Sequence, residues 1–264
     1  MLCGTDLKTT QSRQQLTQSS KWGVIMQLTN GRVPLFLDAQ LLEFGCRIPT
    51  FWNINYSPHL VIIGNTGTGK TTAEKLVIGR VVTHIPGAQV TVCDFKADDF
   101  RFLCGCQHYY AFTDCLRGLD DFYNAFLARQ QGNNSDRSFR LLVFDEWASF
   151  LNFLDKKEAE TAKKQLATML MLGRSFNCHV LIAQQRADAE YFGKARDNFS
   201  VVVALGNLSK EAAAMFGFPR DEMEPVSGVG AGYMLTNGTD LTRIQVPIVR
   251  HPERLEAAIR TVVV

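Results

Sequence analysis

From residue 59 onward the chain alternates short, unbroken apolar runs with longer segments in which apolar residues recur at helical spacing. The apolar runs are LVIIG, QVTVCD, RLLVFD, HVLIAQ and VVVALG, and the helical segments are TAEKLVIGRVV, LDDFYNAFLARQ and EAETAKKQLATMLML. A strand that is covered on both faces is apolar throughout, whereas a half-exposed strand alternates apolar and polar residues. The pattern predicts an α/β fold with a mainly parallel sheet flanked by helices.

The two ends of the chain depart from this pattern. Residues 1–20 are polar and lack a period, which predicts a flexible arm. Residues 21–58 predict a small β-element that leads into the main domain at 59–264, with a hairpin turn at 29–32. A second hairpin turn is expected at 236–239, and a closing helix is expected after it. Both predicted turns contain an Asn-Gly pair, which suits the positive φ angles of a tight turn.

The segment GNTGTGKT, residues 64–71, matches the phosphate-loop pattern G-x-x-x-x-G-K-[ST] and lies between a predicted strand and a predicted helix. Glycines let successive backbone N–H groups turn toward a phosphate, and the helix N-terminus adds its positive dipole end. We expect Lys70 to neutralise the β and γ phosphates of ATP and Thr71 to coordinate Mg²⁺. The predicted nucleotide-binding residues are Gly64, Asn65, Thr66, Gly67, Thr68, Gly69, Lys70, Thr71 and Thr72.

A second motif, RLLVFDEW at residues 140–147, ends an apolar strand in two acids. In phosphate-loop enzymes the first acid, here Asp145, holds the Mg²⁺ shell opposite Thr71, so their side-chain oxygens are expected within roughly 5 Å of each other. Glu146 is expected to orient and deprotonate the attacking water, a role that a nucleotide kinase does not need. An Asp-Glu pair alone also fits a helix N-terminus. Its combination with the phosphate loop favours ATP hydrolysis.

Composition adds few constraints. The 264 residues carry a formal charge of +2 and are 46% hydrophobic, so a nucleic-acid surface must come from local lysines and arginines or from several copies around one site. No apolar run approaches the roughly 18 to 20 residues of a membrane-spanning helix, and no signal-peptide pattern is present, which predicts a cytoplasmic protein. The seven cysteines are expected to be reduced. Cys104, Cys106 and His108 lack the spacing and the fourth ligand of a zinc site.

Five segments in order resemble a known family: HLVIIGNTGTGKTT, VCDFKADDF, LLVFDEWASFL, LGRSFNCHVLIAQQRAD and RDNFSVVVALGNLSKEA. Together they resemble the motor domain of FtsK/SpoIIIE-type DNA translocases, within the FtsK–HerA superfamily that also includes the coupling ATPases of conjugation. The resemblance covers about residues 55–250. It implies a RecA-like P-loop ATPase that forms a ring, usually a hexamer, and pulls double-stranded DNA through its channel.

The resemblance also implies that Gln185, at the end of the HVLIAQQ run, is the polar sensor of the γ-phosphate. The family pattern is A-T-Q-R-P, and this chain has Gln184 in place of the threonine and Ala187 in place of the proline. Because successive side chains of a strand point to opposite faces, only one of the two glutamines can face the nucleotide. An amide that satisfies backbone groups at the strand end is the alternative role for Gln185.

Arg174, in LGRSF, resembles the arginine that precedes the sensor strand and reaches the nucleotide of the neighbouring subunit. A guanidinium suits the negative charge that develops on a transferred phosphoryl group. Arg186 and Arg196 are alternatives for this role. Arg174 can instead be a surface residue that caps the preceding helix.

The segment VCDFKADDF resembles the second-strand segment of the family. Asp94 and Lys96 are therefore expected at the carboxyl ends of the strands, where ligands bind in open α/β sheets. Both an ion pair between loops and a catalytic role are open for them. Asp98 and Asp99 are expected to be solvated loop charges.

The sequence contains only a weak indication of a DNA surface. Four lysines surround one predicted helix and two cations follow the sensor strand, which fits either a channel or an ordinary solvated face. These residues are Lys156, Lys157, Lys163, Lys164, Lys194 and Arg196. The favoured function is an ATP-hydrolysing DNA translocase or coupling-type motor of a plasmid, integrative conjugative element or phage, acting with a relaxase or a secretion channel. The alternative is a nucleotide-dependent binding or assembly protein of a DNA transfer or replication complex, without translocation.

Overall fold

The computed structural model describes residues 31–185 and 188–264, apart from the side chains of Ala189 and Lys194. The arm predicted at 1–20 lies outside the described residues, as does Arg186.

Ten strands of the described residues form one sheet in the order β2-β1-β10-β9-β8-β3-β7-β6-β4-β5. The six strands from β8 to β5 are parallel neighbours, and the four from β9 to β2 extend the sheet with antiparallel pairs. This confirms the mainly parallel α/β fold. The strands are β1 (Arg32–Asp38), β2 (Pro49–Asn53), β3 (Leu60–Gly64), β4 (Gln89–Asp94), β5 (Tyr109–Ala111), β6 (Arg140–Asp145), β7 (Cys178–Gln184), β8 (Val201–Leu205), β9 (Ala231–Thr236) and β10 (Asp240–Gln245).

The predicted helices after the first three apolar runs and at the end of the chain are all present. The helices are α1 (Ala39–Glu43), α2 (Lys70–His84), α3 (Cys115–Gln130), α4 (Trp147–Phe153), α5 (Lys156–Leu172), α6 (Lys210–Phe216) and α7 (Pro252–Arg260). Helix α5 begins with a capping box, in which Asp155 accepts from the Glu158 backbone N–H and Glu158 accepts from the Asp155 backbone N–H. No helix among the described residues is long and apolar enough to cross a membrane.

The two N-terminal strands are part of the main sheet. Strand β1 pairs with β10, with Leu37 opposite Gln245, and β2 pairs with the other side of β1. Phe36 and Trp52 from these strands are fully buried in the same apolar cluster as Leu60 of β3. The strands of the predicted β-element therefore extend the main sheet and share its core.

The second predicted hairpin is confirmed. Strands β9 and β10 pair in antiparallel fashion, and the turn between them has positive φ at Asn237 (52°) and Gly238 (74°). The Thr239 N–H donates to the Thr236 carbonyl and closes the turn. Part of the first predicted hairpin turn, including Asn30, lies outside the described residues.

The ends of the parallel strands create the place for a site. All five residues of β3 are buried, as expected for a central strand with helices on both faces. In register, Gly64 lies opposite Leu205 of β8, and Asp145 lies between Asp94 of β4 and Ala183 of β7. We call this side of the sheet, at which β3, β4, β6, β7 and β8 end, the carboxyl edge. Ligands of open α/β sheets bind outside such an edge.

Two buried histidines make the fold sensitive to acid. His59 precedes β3 and His179 lies in β7; their ring centroids are 6.2 Å apart. Burial lowers the pKa of His179 from 6.5 to about 4. Burial, followed by the charge of His179, lowers the pKa of His59 to about 3. The unfolded chain therefore binds more protons below pH 6.5, and stability falls as the pH drops from 6.5 toward 4.

We expect His179 alone to remove about 3 kcal/mol of unfolding free energy over this pH range. Urea unfolding between neutral pH and pH 4 measures the loss. His179→Gln, which is uncharged in both states, should reduce the pH dependence even if it lowers stability overall. The exposed His251→Gln is the control and should leave the dependence unchanged. An equal dependence in His179→Gln and the parent chain would contradict the assignment.

Candidate active site

The phosphate loop connects β3 to α2 at the carboxyl edge. Gly69 precedes α2 with a φ of 96°, and no side chain caps the helix, which leaves its first-turn N–H groups directed at the loop. A Cβ on Gly64 would lie 2.6 Å from Thr68 Oγ1 and 2.7 Å from the Leu205 carbonyl oxygen, so the turn requires glycine there. The loop is also supported from outside, because the Gly230 N–H donates to the Thr68 carbonyl. The geometry fits a cradle for phosphate.

Asp145 supplies a buried carboxylate at the end of β6. Its Oδ2 atom is buried and has no hydrogen-bond partner among the described residues. Burial raises the pKa of Asp145 to about 7, and the negative charge of Glu146 adds to the effect. A divalent cation would compensate for this arrangement, and Thr71 and Asp145 are the residues that would hold Mg²⁺. In the described part of the chain, no group of three or more His, Cys, Asp or Glu side chains could hold a metal ion.

Thr71 makes a contact that the sequence analysis did not identify. Its Oγ1 donates a hydrogen bond of 3.2 Å to Oδ2 of Asp99. The expectation that Asp99 is a solvated loop charge was therefore wrong, whereas Asp98 is exposed and pairs with Arg101. The error arose because the loop after β4 folds back toward α2, which local sequence does not reveal. The separation between the oxygens of Thr71 and Asp145 stays a prediction.

Glu146 is the centre of a polar network. It is 2% exposed and adopts a left-handed backbone conformation with φ of 59°, between β6 and α4. Its Oε1 atom lies 4.0 Å from Lys70 Nζ and 2.9 Å from Lys96 Nζ. Gln185 Nε2 donates to the same oxygen at 3.3 Å. An uncommon backbone conformation in a buried acid is typical of a functional site, where surrounding contacts hold it in place.

The two glutamines at the end of the HVLIAQQ segment have different surroundings. Gln184 completes β7 and is fully buried, whereas Gln185 is the next residue after the strand and is half-buried. Gln185 contacts Glu146 directly, so it lies beside this acid at the carboxyl edge. Its role as a sensor stays a prediction.

The loop after β4 is held by Asp94. The Asp94 carboxylate accepts hydrogen bonds from the Ala97 N–H, the Phe100 N–H and the Tyr109 hydroxyl, at 2.9, 3.1 and 3.2 Å. Lys96 does not pair with Asp94, and instead reaches Glu146. Asp94 therefore holds the loop through hydrogen bonds, whereas Lys96 forms an ion pair with Glu146.

A further buried acid lies behind the phosphate loop. Glu74, one turn of α2 after Thr71, is fully buried, and both of its carboxyl oxygens lack a hydrogen-bond partner among the described residues. Burial, followed by the charge of Asp145, raises the pKa of Glu74 well above its usual range. The neutral acid is therefore favoured. A glutamate inside the apolar period of the TAEKLVIGRVV helix was the available sequence signal.

Comparison with known proteins finds an FtsK domain-containing protein and ATPases of secretion and conjugation systems. No protein-family model matches the chain. It is 28% identical over 216 residues to the FtsK domain-containing protein YdcQ of Bacillus subtilis (strain 168), a match that covers 75% of this chain and 45% of YdcQ. The cytoplasmic domain of the type VII secretion ATPase EccC of Thermomonospora curvata has a similar structure, with a TM-score of 0.65 and 23% identity over 89% of this chain and 31% of that one. The pCW3 conjugation coupling protein TcpA, solved with ATPγS, has a TM-score of 0.65 and 17% identity over 88% of this chain and 70% of that one.

The chain is thus similar in sequence to an FtsK domain-containing protein and in fold to secretion and conjugation ATPases, which confirms the resemblance to FtsK-type ATPases. The phosphate loop and the Asp145-Glu146 pair of this chain both lie at the carboxyl edge of the sheet. The chain spans less than half the length of YdcQ.

Arg174 lies far from its own phosphate loop. It belongs to the short turn Gly173–Phe176 between α5 and β7, at the amino end of β7. The seven residues of β7 at about 3.3 Å each separate it from the carboxyl edge by about 20 Å, which an arginine side chain cannot span. Arg174 is exposed, and its guanidinium makes no hydrogen bond or ion pair with any described residue. The rival Arg196 is half-buried and pairs with Asp197 at 3.6 Å.

One lysine of α5 is paired with an acid, and the others are exposed. Lys163 pairs with Glu160 at 3.2 Å, as expected for a solvated helix face. Lys156, Lys157 and Lys164 are exposed. Whether this face lines a channel stays a prediction.

Proposed function

We propose that this chain is the ATP-hydrolysing motor of a DNA translocase or coupling complex from a plasmid, integrative conjugative element or phage, and that it moves DNA through an oligomeric ring in the cytoplasm. The observation that carries the proposal is the Glu146 network at the carboxyl edge. One buried carboxylate is contacted by Lys70 of the phosphate loop and by Gln185 after the sensor strand. An acid at this position serves hydrolysis, because water must be oriented and deprotonated.

In the proposed reaction, the phosphate loop holds the β and γ phosphates of ATP, and Lys70 neutralises them. Thr71 and Asp145 would hold Mg²⁺, which would supply positive charge beside the phosphates. Glu146 orients a water in line with the γ-phosphate and accepts its proton, while Gln185 contacts the phosphate and the base together. The low exposure of Glu146 strengthens each of these electrostatic contacts.

A ring is supported by the position and surroundings of Arg174. Because the arginine cannot reach its own nucleotide site, a role in hydrolysis requires a second copy of the chain. The neighbouring Met171 and Leu172 expose 59% and 40% of their surfaces, which suits an interface between copies. A head-to-tail contact of this kind closes into a ring when its rotation permits, and we propose a hexamer.

DNA as the cargo is supported by the relatives. YdcQ contains an FtsK domain and TcpA is a conjugation coupling protein, so transfer of double-stranded DNA, with a relaxase or secretion channel as partner, is the favoured use of the motor. The alternative is a nucleotide-dependent binding or assembly protein without translocation. The similarity to the secretion ATPase EccC favours it, because such a protein need not act on DNA.

The discriminating experiment is an ATPase assay with and without double-stranded DNA. We expect DNA to raise turnover many-fold, and the stimulation to fall as salt is increased, because phosphate contacts release counterions. The turnover of a Glu146→Gln preparation measures the background from contaminating ATPases. Slow turnover that DNA does not change would support the assembly protein. An absence of ATP hydrolysis under all conditions would contradict the motor.

A further inference from the structure

Lys96 contacts the proposed base more closely than the phosphate-loop lysine does. Lys96 Nζ lies 2.9 Å from Glu146 Oε1, against 4.0 Å for Lys70 Nζ. Burial opposes a charge on Lys96, but the hydrogen bond and charge of Glu146 outweigh it and raise the pKa of Lys96. The Lys96 side chain is 40% exposed, whereas that of Glu146 is 3% exposed. The lysine therefore enters the site from the solvent side.

The position of Lys96 is built into the loop. The next residue, Ala97, adopts a positive φ of 56°, which is uncommon for a residue other than glycine. Its N–H and the Phe100 N–H both donate to Asp94, and this fixes the turn that carries Lys96. Loops that keep an uncommon backbone conformation at a site commonly serve its function.

The same loop also contacts the proposed metal ligand. Asp99 accepts the Thr71 hydroxyl, three residues beyond Lys96. The loop between β4 and β5 thus contacts both groups that ATP would engage, the base Glu146 and the hydroxyl of Thr71. Both contacts are independent of Gln185, which follows β7.

We propose that Lys96 is a second cation for the γ-phosphate, which holds Glu146 when no γ-phosphate is present and moves to the phosphate when ATP binds. Glu146 and the γ-phosphate are both anionic and lie at the same end of the site, so a flexible ammonium can transfer from one to the other. The transfer frees Glu146 Oε1 to accept a proton from water. ADP, which lacks the γ-phosphate, leaves the pair intact. The proposal rests on the assignment of Glu146 and the phosphate loop made above.

The test compares the affinities of ATPγS and ADP, each with Mg²⁺, by calorimetry or displacement of a fluorescent nucleotide. Lys96→Met removes the charge and keeps the length of the side chain. We expect it to weaken ATPγS binding by about tenfold or more, the value of one charge-assisted hydrogen bond, while ADP affinity changes by less than about twofold. Lys96→Arg should retain the preference for ATPγS. Arg250→Met is the control, because Arg250 is an exposed cation without a proposed role and the substitution removes the same charge.

A purely structural role would give a different result. If Lys96→Met weakened both nucleotides equally, or changed neither, the proposal would be overturned. Thermal unfolding without nucleotide checks that each variant is folded. If Lys96→Met does not fold, Lys96→Arg still tests the proposal, because loss of the ATPγS preference in Lys96→Arg would also contradict it. A parent chain that binds no nucleotide would contradict the proposed function as well. A parent chain that binds both, with the ratio unchanged in Lys96→Met, would contradict only the role of Lys96.

Discussion

Glu146→Gln is expected to keep ATP bound while slowing hydrolysis by about 10² to 10⁴-fold, the usual contribution of a positioned general base. Glutamine has nearly the same shape as glutamate but cannot accept the proton of the attacking water. Its carbonyl oxygen can still face Lys96 and Lys70, so the site should stay assembled. Nucleotide binding and single-turnover hydrolysis, measured on the same preparation, separate the two effects.

Variants of the neighbouring residues should fail in other ways. Lys70→Ala should weaken or misplace the nucleotide, because the phosphate charge loses its nearest cation. Asp145→Asn should fail mainly through Mg²⁺, and raised Mg²⁺ should recover part of its activity. Glu160→Gln, which removes an exposed carboxylate on α5, is the control and should hydrolyse ATP normally. Normal turnover in Glu146→Gln would show that another residue orients the water.

The second large effect is expected at Arg174. Loss of this side chain should slow hydrolysis by about 10³-fold, the scale of other arginine fingers, while the isolated subunit still binds ATP. The reason is its distance from its own phosphate loop, at the opposite end of β7. Only the nucleotide site of a neighbouring copy can receive the guanidinium. The exposed Arg220→Ala is the control and should not change turnover.

Mixed rings test the direction of this contact. An Arg174→Ala subunit retains its phosphate loop, and a Lys70→Ala subunit retains its arginine. Mixing the two should restore part of the activity, because some interfaces then combine an intact loop with an intact finger. An arginine that acts within its own chain gives no rescue, even in rings shown to contain both subunits. That outcome would also remove the main support for the ring.

The phosphate loop and the Asp-Glu pair were accessible from sequence because their chemistry depends on residues adjacent along the chain. Gly64, Gly69 and Lys70 must occupy fixed positions in one turn between a strand and a helix, so the spacing carries the information. The same applies to Asp145, which follows the four apolar residues of its strand, residues 141–144. Helices such as α5 also follow from local patterns, since the capping box and the apolar period lie within one segment.

The contacts between segments were not accessible in this way. Asp99 was expected in solvent but accepts the Thr71 hydroxyl, and Lys96 pairs with Glu146 across two strand ends. The N-terminal strands were expected as a small β-element that leads into the main domain, and their pairing with β10 could not be read from the sequence. Each of these contacts joins residues far apart in sequence, and depends on how loops fold back and which strand edges remain available. Sequence periodicity reports the face that an element buries, whereas its partner is chosen by packing of the whole sheet. Local sequence motifs thus identify the residues proposed to carry out the chemistry. The residues that contact and restrain them are determined by the three-dimensional arrangement of distant segments.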